Sequence, residues 1–194
     1  MLSIALNDQE LVTHYIHGNE SAIEILITRH KRKVFSYIYN LVKDRDVAED
    51  LFQDTFIKVI NTLKGKNYNE EGKFLPWVMR IAHNIVIDYF RKAKKMQTTS
   101  GGDDWNIFDS LNVFDDTVHD KMEKKQVKAD VRRLIEKLPD DQREVLVMRH
   151  YEDLSFKEIA EISNISINTA LGRMRYALIN LRKLIEEYQL VLVD

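Results

Sequence analysis

The chain is expected to be all-α, with two small helical domains joined by a flexible acidic linker, and three observations lead there. Only 2 prolines and 6 glycines interrupt 194 residues. Apolar residues recur at three/four spacing over long stretches, the period of a helix buried along one side. No run of alternating β-branched residues offers a strand. A charged content of 31% beside an apolar content of 44% describes a soluble globular chain, and its length suits one large or two small domains. The absence of cysteine rules out disulfides and thiolate chemistry and fits a reducing compartment. The opening MLSIALNDQE has neither the basic start nor the apolar core of a signal peptide. No apolar stretch reaches membrane-spanning length. The expected location is cytoplasmic.

The helical periods run over roughly 8–17, 20–43, 46–63, 74–96, 118–137, 141–152, 155–163 and 167–188. Asn19 and Asp44 stand where N-caps belong, and Pro76 falls in a first helical turn, where proline is tolerated. The one linker is the segment Met96–Asp120, which opens on Thr-Thr-Ser-Gly-Gly and holds six Asp without Lys or Arg. A loop of that length is unusual inside a compact domain, so it reads as the join between two.

Net charge is −2, an odd value for a nucleic-acid binder, but the charges are segregated. Residues 1–95 carry +3, residues 96–127 carry −4 and residues 128–194 carry −1. Near-neutrality is the sum of opposed patches. Such a chain suits DNA on one side and a basic protein on another, and should bind duplex DNA poorly when free.

The segment KFLPWVMRIAHNIVIDYFRKAKK, Lys73–Lys95, divides its residues between two faces. Val78, Ile81, Ala82, Ile85 and Tyr89 follow the period of a buried stripe. Trp77, Arg80, Asn84, Asp88 and Arg91 follow the same period on the other side, and Arg91, Lys92, Lys94 and Lys95 extend the charge. Aromatic faces take unstacked bases and cations track the phosphate backbone, so this is the composition of a single-strand surface. An amphipathic helix with a half-exposed Trp is the plainer alternative.

The preceding helix clusters Asp46, Glu49, Asp50, Gln53 and Asp54 over two turns, while Val47, Leu51, Thr55 and Val59 point the other way. Three readings stay open: carboxylate metal binding, a solvated face favoured near a helix N-terminus, and a docking surface for a basic helix. The first is weak because no histidine or facing acid closes a shell. His14 and His17 have metal-ligand spacing, but an exposed pair arising by chance is the better account.

Further on, Ser155-Phe-Lys-Glu158 forms a capping box at the start of a short helix bearing Ile159, Ala160 and Ile162. Ser163-Asn164-Ile165 supplies a turn, with Asn164 suited to the left-handed conformation. Ser166 then caps a longer helix whose inner face is Ile167, Ala170, Met174, Leu178, Leu181 and Ile185. The pattern is a helix-turn-helix, whose second helix enters the major groove. Asn168, Thr169, Leu171, Gly172, Arg175 and Tyr176 face outward to base edges and phosphates, with Arg149 as a further phosphate contact. Arg173 is ambiguous and could turn inward toward Glu158. A plain helical hairpin is the alternative.

Three of these landmarks occur in the order found in one family. The chain resembles the extracytoplasmic-function (ECF) sigma factors, compact members of the sigma-70 family of bacterial RNA polymerase initiation subunits. DRDVAEDLFQDTFIKV resembles the family's DAEDL-x-Q-x-x-F signature in region 2.2. FLPWVMRIAHNIVIDYFRK resembles F-x-x-W-L-x-x-I-A-x-N-x-x-x-D-x-x-R of regions 2.3 and 2.4. LPDDQREVLVMRHYEDLSFKEIAEISNISINTALGRMRYAL resembles region 4.

The resemblance implies region 2 over residues 1–96, an acidic linker over 97–122 and region 4 over 123–194. It implies that Asp46, Glu49, Asp50, Gln53 and Asp54 bind core RNA polymerase at the β′ clamp helices, with the β subunit as a further contact. It assigns the −10 element to Trp77, Arg80, Asn84, Asp88, Arg91 and Lys92, with Lys66 and Tyr68 of the preceding loop helping form a pocket for an extracted base. It assigns the −35 element to Arg149, Asn168, Thr169, Leu171, Gly172, Arg175 and Tyr176. The acidic linker would occupy polymerase's basic channels in place of RNA. Promoter DNA and an anti-sigma factor are the remaining implied partners, with no enzymatic activity, cofactor, metal or small-molecule substrate. One departure stands out: the family's recognition helix usually carries basic residues where this chain has Leu171 and Tyr176, which puts the preferred −35 sequence in doubt. A free-standing helix-turn-helix regulator is the second reading and leaves the acidic helix and the Trp77 face unexplained. A helical metal-dependent nuclease, the third, lacks convincing ligands.

Overall fold

The computed structural model describes residues 6–65, 68, 72–97 and 129–189. Its regular structure is helical: α1 (Asp8–Ile16), α2 (Ser21–Val42), α3 (Arg45–Lys64) and α4 (Phe74–Gln97), then α5 over 129–136, and α6 (Asp140–His150), α7 (Phe156–Ser163) and α8 (Ile167–Glu187). The expected helix at 118–137 is therefore met in its described part. Lys66 and the acidic linker beyond Gln97 lie outside the described residues. No described helix is long and apolar enough to cross a membrane. The chain divides into two compact units.

Short-range chemistry sets the ends of the first four helices. Asn7 accepts from the Glu10 N–H at 2.9 Å while the Glu10 carboxylate accepts from the Asn7 N–H at 2.8 Å, a closed capping box on α1. Asp44 caps α3 by accepting from the Val47 N–H at 3.0 Å. Asn19 acts one residue ahead of α2's cap position, which is Glu20, and takes the Ser21 N–H at 3.2 Å and the Ser21 hydroxyl at 2.7 Å. Lys43 ends α2 in the left-handed conformation, φ 60°, with its N–H on the Tyr39 carbonyl. Only Lys43 and Asp44 separate α2 from α3.

In this unit α2 packs against α1, α3 and α4, and α3 also packs against α4. Leu26, Val34 and Ile38 of α2 are buried, as are Ala48, Val59 and Leu63 of α3 and Val78, Met79, Ala82 and Val86 of α4. Each large aliphatic among them contributes about 1.5–3 kcal/mol on full burial. The buried Tyr37 hydroxyl and His83 Nδ1 share a hydrogen bond of 3.1 Å that ties α2 to α4, a net gain of about 1 kcal/mol. The buried side of α4 differs from the expected stripe: Ile85 and Tyr89 are half-buried, while Met79, His83 and Val86 go inside. A helix packed on two neighbours buries a wider arc than the one-sided stripe assumed from periodicity.

At the edge of this core Asp8 of α1 meets two residues of α2. Its Oδ2 accepts from His30 Nε2–H at 2.7 Å and its Oδ1 accepts from Arg29. Arg29 also donates to the Leu6 carbonyl at 2.7 Å.

The second unit has a smaller core of Ile135, Leu138, Leu146 and Ala177, with Val131, Tyr151, Met174, Leu181 and Leu184 packed against it. Here α6 packs on α8, reinforced by Asn180 donating to Gln142 at 2.8 Å and by Arg173 paired with Asp141 at 3.2 Å. One ambiguity is resolved and one expectation changes. Arg173 turns to Asp141 rather than Glu158. Ile167 and Leu178, assigned to the inner face of α8, are 46% and 41% exposed. The contact with α6 selects the side bearing the fully buried Ala177, where small residues allow close approach, rather than the side with the largest aliphatics.

Burial raises the Asp8 carboxyl, but the hydrogen bonds from His30 and Arg29 outweigh it and leave the group below its ordinary 3.8. A lowered folded-state value contributes stability above the unfolded value and loses it as pH falls through the folded one. Asp8→Asn should therefore destabilise the protein at neutral pH, by an amount that shrinks below pH 3.8. Urea unfolding of both proteins across that range is the check, and a gap independent of pH would show that the carboxylate's charge is not what matters.

Candidate nucleic-acid interface

On α3, the residues Asp46, Glu49, Asp50, Gln53 and Asp54 are all exposed. Their helix buries Ala48, Leu51, Thr55, Phe56 and Val59 behind them, and the Thr55 hydroxyl satisfies itself on the Leu51 carbonyl at 2.7 Å. Asp46 lies in the first turn, where negative charge is favoured by the helix dipole. Arg45 donates to Glu49 at 3.0 Å and so neutralises one edge of the patch. Ile57, one turn beyond Gln53 and Asp54, is 55% exposed. Sequence reasoning missed it, although its place in the i+3/i+4 series from those two residues could have revealed it.

On α4, the side chains of Arg80, Asn84, Asp88, Arg91 and Lys92 are exposed and Trp77 is half-buried. Arg91 is held by Asp88 at 2.9 Å. Trp77 is set by rings: Tyr68 lies 4.3 Å away between centroids and Phe74 lies 5.8 Å away. The structure thus brings together two residues that the sequence placed on different segments, the loop Tyr68 and the helical Trp77. An unexpected neighbour is Ile87, 47% exposed in the same series as Arg80, Asn84 and Arg91.

The starts of α7 and α8 are built as their local signals predict. Ser155 and Glu158 make their reciprocal bonds, with the Glu158 carboxylate accepting from the Ser155 N–H at 2.8 Å. Asn164 takes the left-handed conformation at φ 54°. Ser166 accepts from the Thr169 N–H at 3.0 Å, and the Ser166 and Thr169 hydroxyls share a bond of 2.8 Å. Beyond that cap Asn168, Thr169, Leu171, Arg175 and Tyr176 are exposed and Gly172 is half-buried. A Cβ at Gly172 would meet nothing within 4 Å, so this position leaves open room beside the helix. Arg149 is exposed but also structural, donating to the Leu154 carbonyl at 2.9 Å and lying 5.3 Å over the Phe156 ring.

His14 and His17 are both exposed, and His17 Nδ1 is bonded to the Thr13 carbonyl at 2.7 Å. Among the described residues no cluster of three or more His, Cys, Asp or Glu could hold a metal ion.

Comparison with known proteins places these faces in a family. The model for sigma-70 region 2 matches residues 26–96, and that for sigma-70 region 4 matches residues 128–176. The ECF RNA polymerase sigma factor SigM of Bacillus subtilis is 31% identical over 144 residues, which are 74% of this chain and 83% of that protein. The chain is an ECF sigma factor of the sigma-70 family. The sigma-E factor of Escherichia coli is 29% identical over 177 residues, covering 89% of this sigma factor and 91% of the relative. The fold agrees with two solved complexes. Sigma factor RpoE of Bartonella quintana, bound to the anti-sigma factor NepR, gives a TM-score of 0.69 at 20% identity over 84% of this chain and 96% of that one. CnrH, bound to the cytosolic domain of CnrY, gives 0.66 at 22% over 93% and 97%. In this sigma factor the acidic face of α3 and the Trp77 face of α4 both fall within the region 2 match. The region 4 match ends at Tyr176, the last of the outward residues on α8.

The Ser166 cap orients the first turn of the sigma factor's α8, from which Asn168 and Thr169 project. Ser166→Ala should lower stability by about 1 kcal/mol, as loss of a capping hydroxyl does. Chemical denaturation followed by circular dichroism would measure it, and Ser166→Asp should restore most of the loss.

Proposed function

We propose that residues 1–96 hold core RNA polymerase and the opened −10 strand, that residues 123–194 read the −35 duplex, and that the acidic segment 97–122 joins the two along polymerase's basic channels. The observation that carries this reading is the pairing of faces on neighbouring helices. The exposed side of α3 is acidic, while that of α4 is aromatic, amide and basic. An acidic face fits a basic protein helix, and an aromatic-cationic face fits single-stranded DNA. A free-standing helix-turn-helix regulator would use α7 and α8 alone and give neither face a purpose.

Asp46, Glu49, Asp50, Gln53 and Asp54 engage the β′ clamp helices. Trp77 and Tyr68 stack against the opened strand, Arg80, Arg91, Lys92 and Lys66 follow its phosphates, and Asn84 and Asp88 face its bases. Asn168, Thr169, Leu171, Gly172, Arg175 and Tyr176 enter the −35 groove, where Leu171 offers apolar contact to a thymine methyl. The chain performs no chemistry of its own, and it works in the cytoplasm with polymerase. The two solved relatives bound to an anti-sigma factor or a cytosolic partner domain support a similar inhibitor for this chain.

Run-off transcription with purified core polymerase tests the reading directly. Core polymerase plus this chain should initiate at promoters where core alone does not, with no other sigma present, whereas an activator would need one. Asp50→Lys or Asp54→Lys should abolish core binding. Trp77→Ala and Asn84→Ala should leave core binding intact and reduce promoter opening by about tenfold or more, the scale of one lost base-stacking contact. Loss of core binding in Trp77→Ala would overturn the division of faces.

A further inference from the structure

Trp77 does not stand alone on its face. Its ring neighbour Phe74, 1% exposed, is followed by the His30 ring at 5.6 Å, tilted by 45°. His30 is itself 8% exposed and gives its Nε2–H to Asp8 at 2.7 Å. Asp8 is in turn fixed by Arg29 and by its place in the first turn of the capped helix α1. A continuous row therefore runs from Asp8 through His30 and Phe74 to Trp77 and Tyr68, joining α1, α2, the start of α4 and the loop before it.

A buried imidazole costs stability unless its nitrogens are satisfied, so packing alone would favour an apolar ring at position 30. What histidine adds is direction. A phenylalanine in that space would have its plane set by packing alone, whereas a ring hydrogen-bonded at one nitrogen has its plane set by that bond as well. That plane is the surface Phe74 rests on, and Phe74 with Tyr68 sets the plane of Trp77.

We infer that His30, held by Asp8, is a positioning residue that fixes the orientation of Trp77 for capture of the opened promoter strand. It acts through Phe74 and need not touch DNA. The inference rests on the proposed role of the Trp77 face, and the experiment separates the two.

The variants are His30→Phe, which keeps a ring and removes the hydrogen bond, and Asp8→Asn, which keeps the side-chain size and weakens the acceptor. Each is made in the full chain and in a Trp77→Ala background. Core binding is measured by affinity, and opening by permanganate reactivity of −10 thymines on duplex and pre-opened promoters. Single variants should lose up to about tenfold in duplex opening, since misplacing Trp77 can cost no more than its stacking contact. They should bind core as the parent does and recover on the pre-opened template. In the Trp77→Ala background the same changes should cost less than about twofold, since residues acting through one group are not additive. Equal cost in both backgrounds, or a matching loss of core binding, would make His30 a structural residue only and overturn the inference. If Trp77→Ala opens duplex promoters normally, the proposed role of that face fails and the inference falls with it. A solution measurement does not depend on polymerase. With Trp105→Phe leaving Trp77 as the only indole of the chain's 2, acrylamide quenching should rise in both variants, and unchanged quenching would also overturn the inference.

Discussion

Because α4 is buried against α2 and α3 together, little of its circumference remains for anything else, and the rest of the first unit follows from that restriction. Ile81, Val78, Ala82, Val86, Met79 and His83 together span more than half the circumference of α4 and are all buried. What is left outside is a narrow series beginning at Arg80 and continuing through Asn84, Ile87 and Arg91. The Tyr37–His83 bond fixes α4's rotation about its own axis, since a slip of one residue would bury a guanidinium and expose the imidazole. The direction of the polar residues is thus set from inside the core.

The second unit solves a similar problem with less material. In the core cluster of Ile135, Leu138, Leu146 and Ala177, α8 enters through Ala177 with Met174, Leu181 and Leu184 around it. A close approach through a small side chain gives each neighbour more contact than a bulky one would. The cost is that Ile167 and Leu178 stay near the surface, on the same side of α8 as the exposed Leu171.

Local signals carried most of what the sequence revealed. Helix ends were legible because Asp44, Ser155 and Ser166 each act within three residues of themselves, and so were the outward faces of α3 and α4, because charge is costly to bury. The inner face of α8 was legible only in part. Hydrophobicity favours Ile167 and Leu178, while the partner helix chooses by shape, and a single sequence does not contain the partner's position. The row from Asp8 to Trp77 was not legible at all. His30 reads as one polar residue in a long amphipathic helix, and its meaning depends on Asp8, 22 positions earlier. The same holds for Arg173, whose ambiguity was resolved by Asp141 on a different helix.

The ion pair between Asp88 and Arg91 has a consequence for the energetics of the whole face. A guanidinium that already has a carboxylate beside it at 2.9 Å holds fewer mobile anions than a bare one. On the proposed −10 role, a phosphate that took the carboxylate's place would leave Asp88 beside the strand, so the pair would neutralise less of the strand than a bare cation and release fewer of its condensed counterions. The salt dependence of binding should then be shallower than the number of cations on α4 suggests. On the proposed reading, a face that arrives partly neutralised would have little appetite for indiscriminate duplex DNA, since a strand must then offer bases as well as phosphates to displace what is already there.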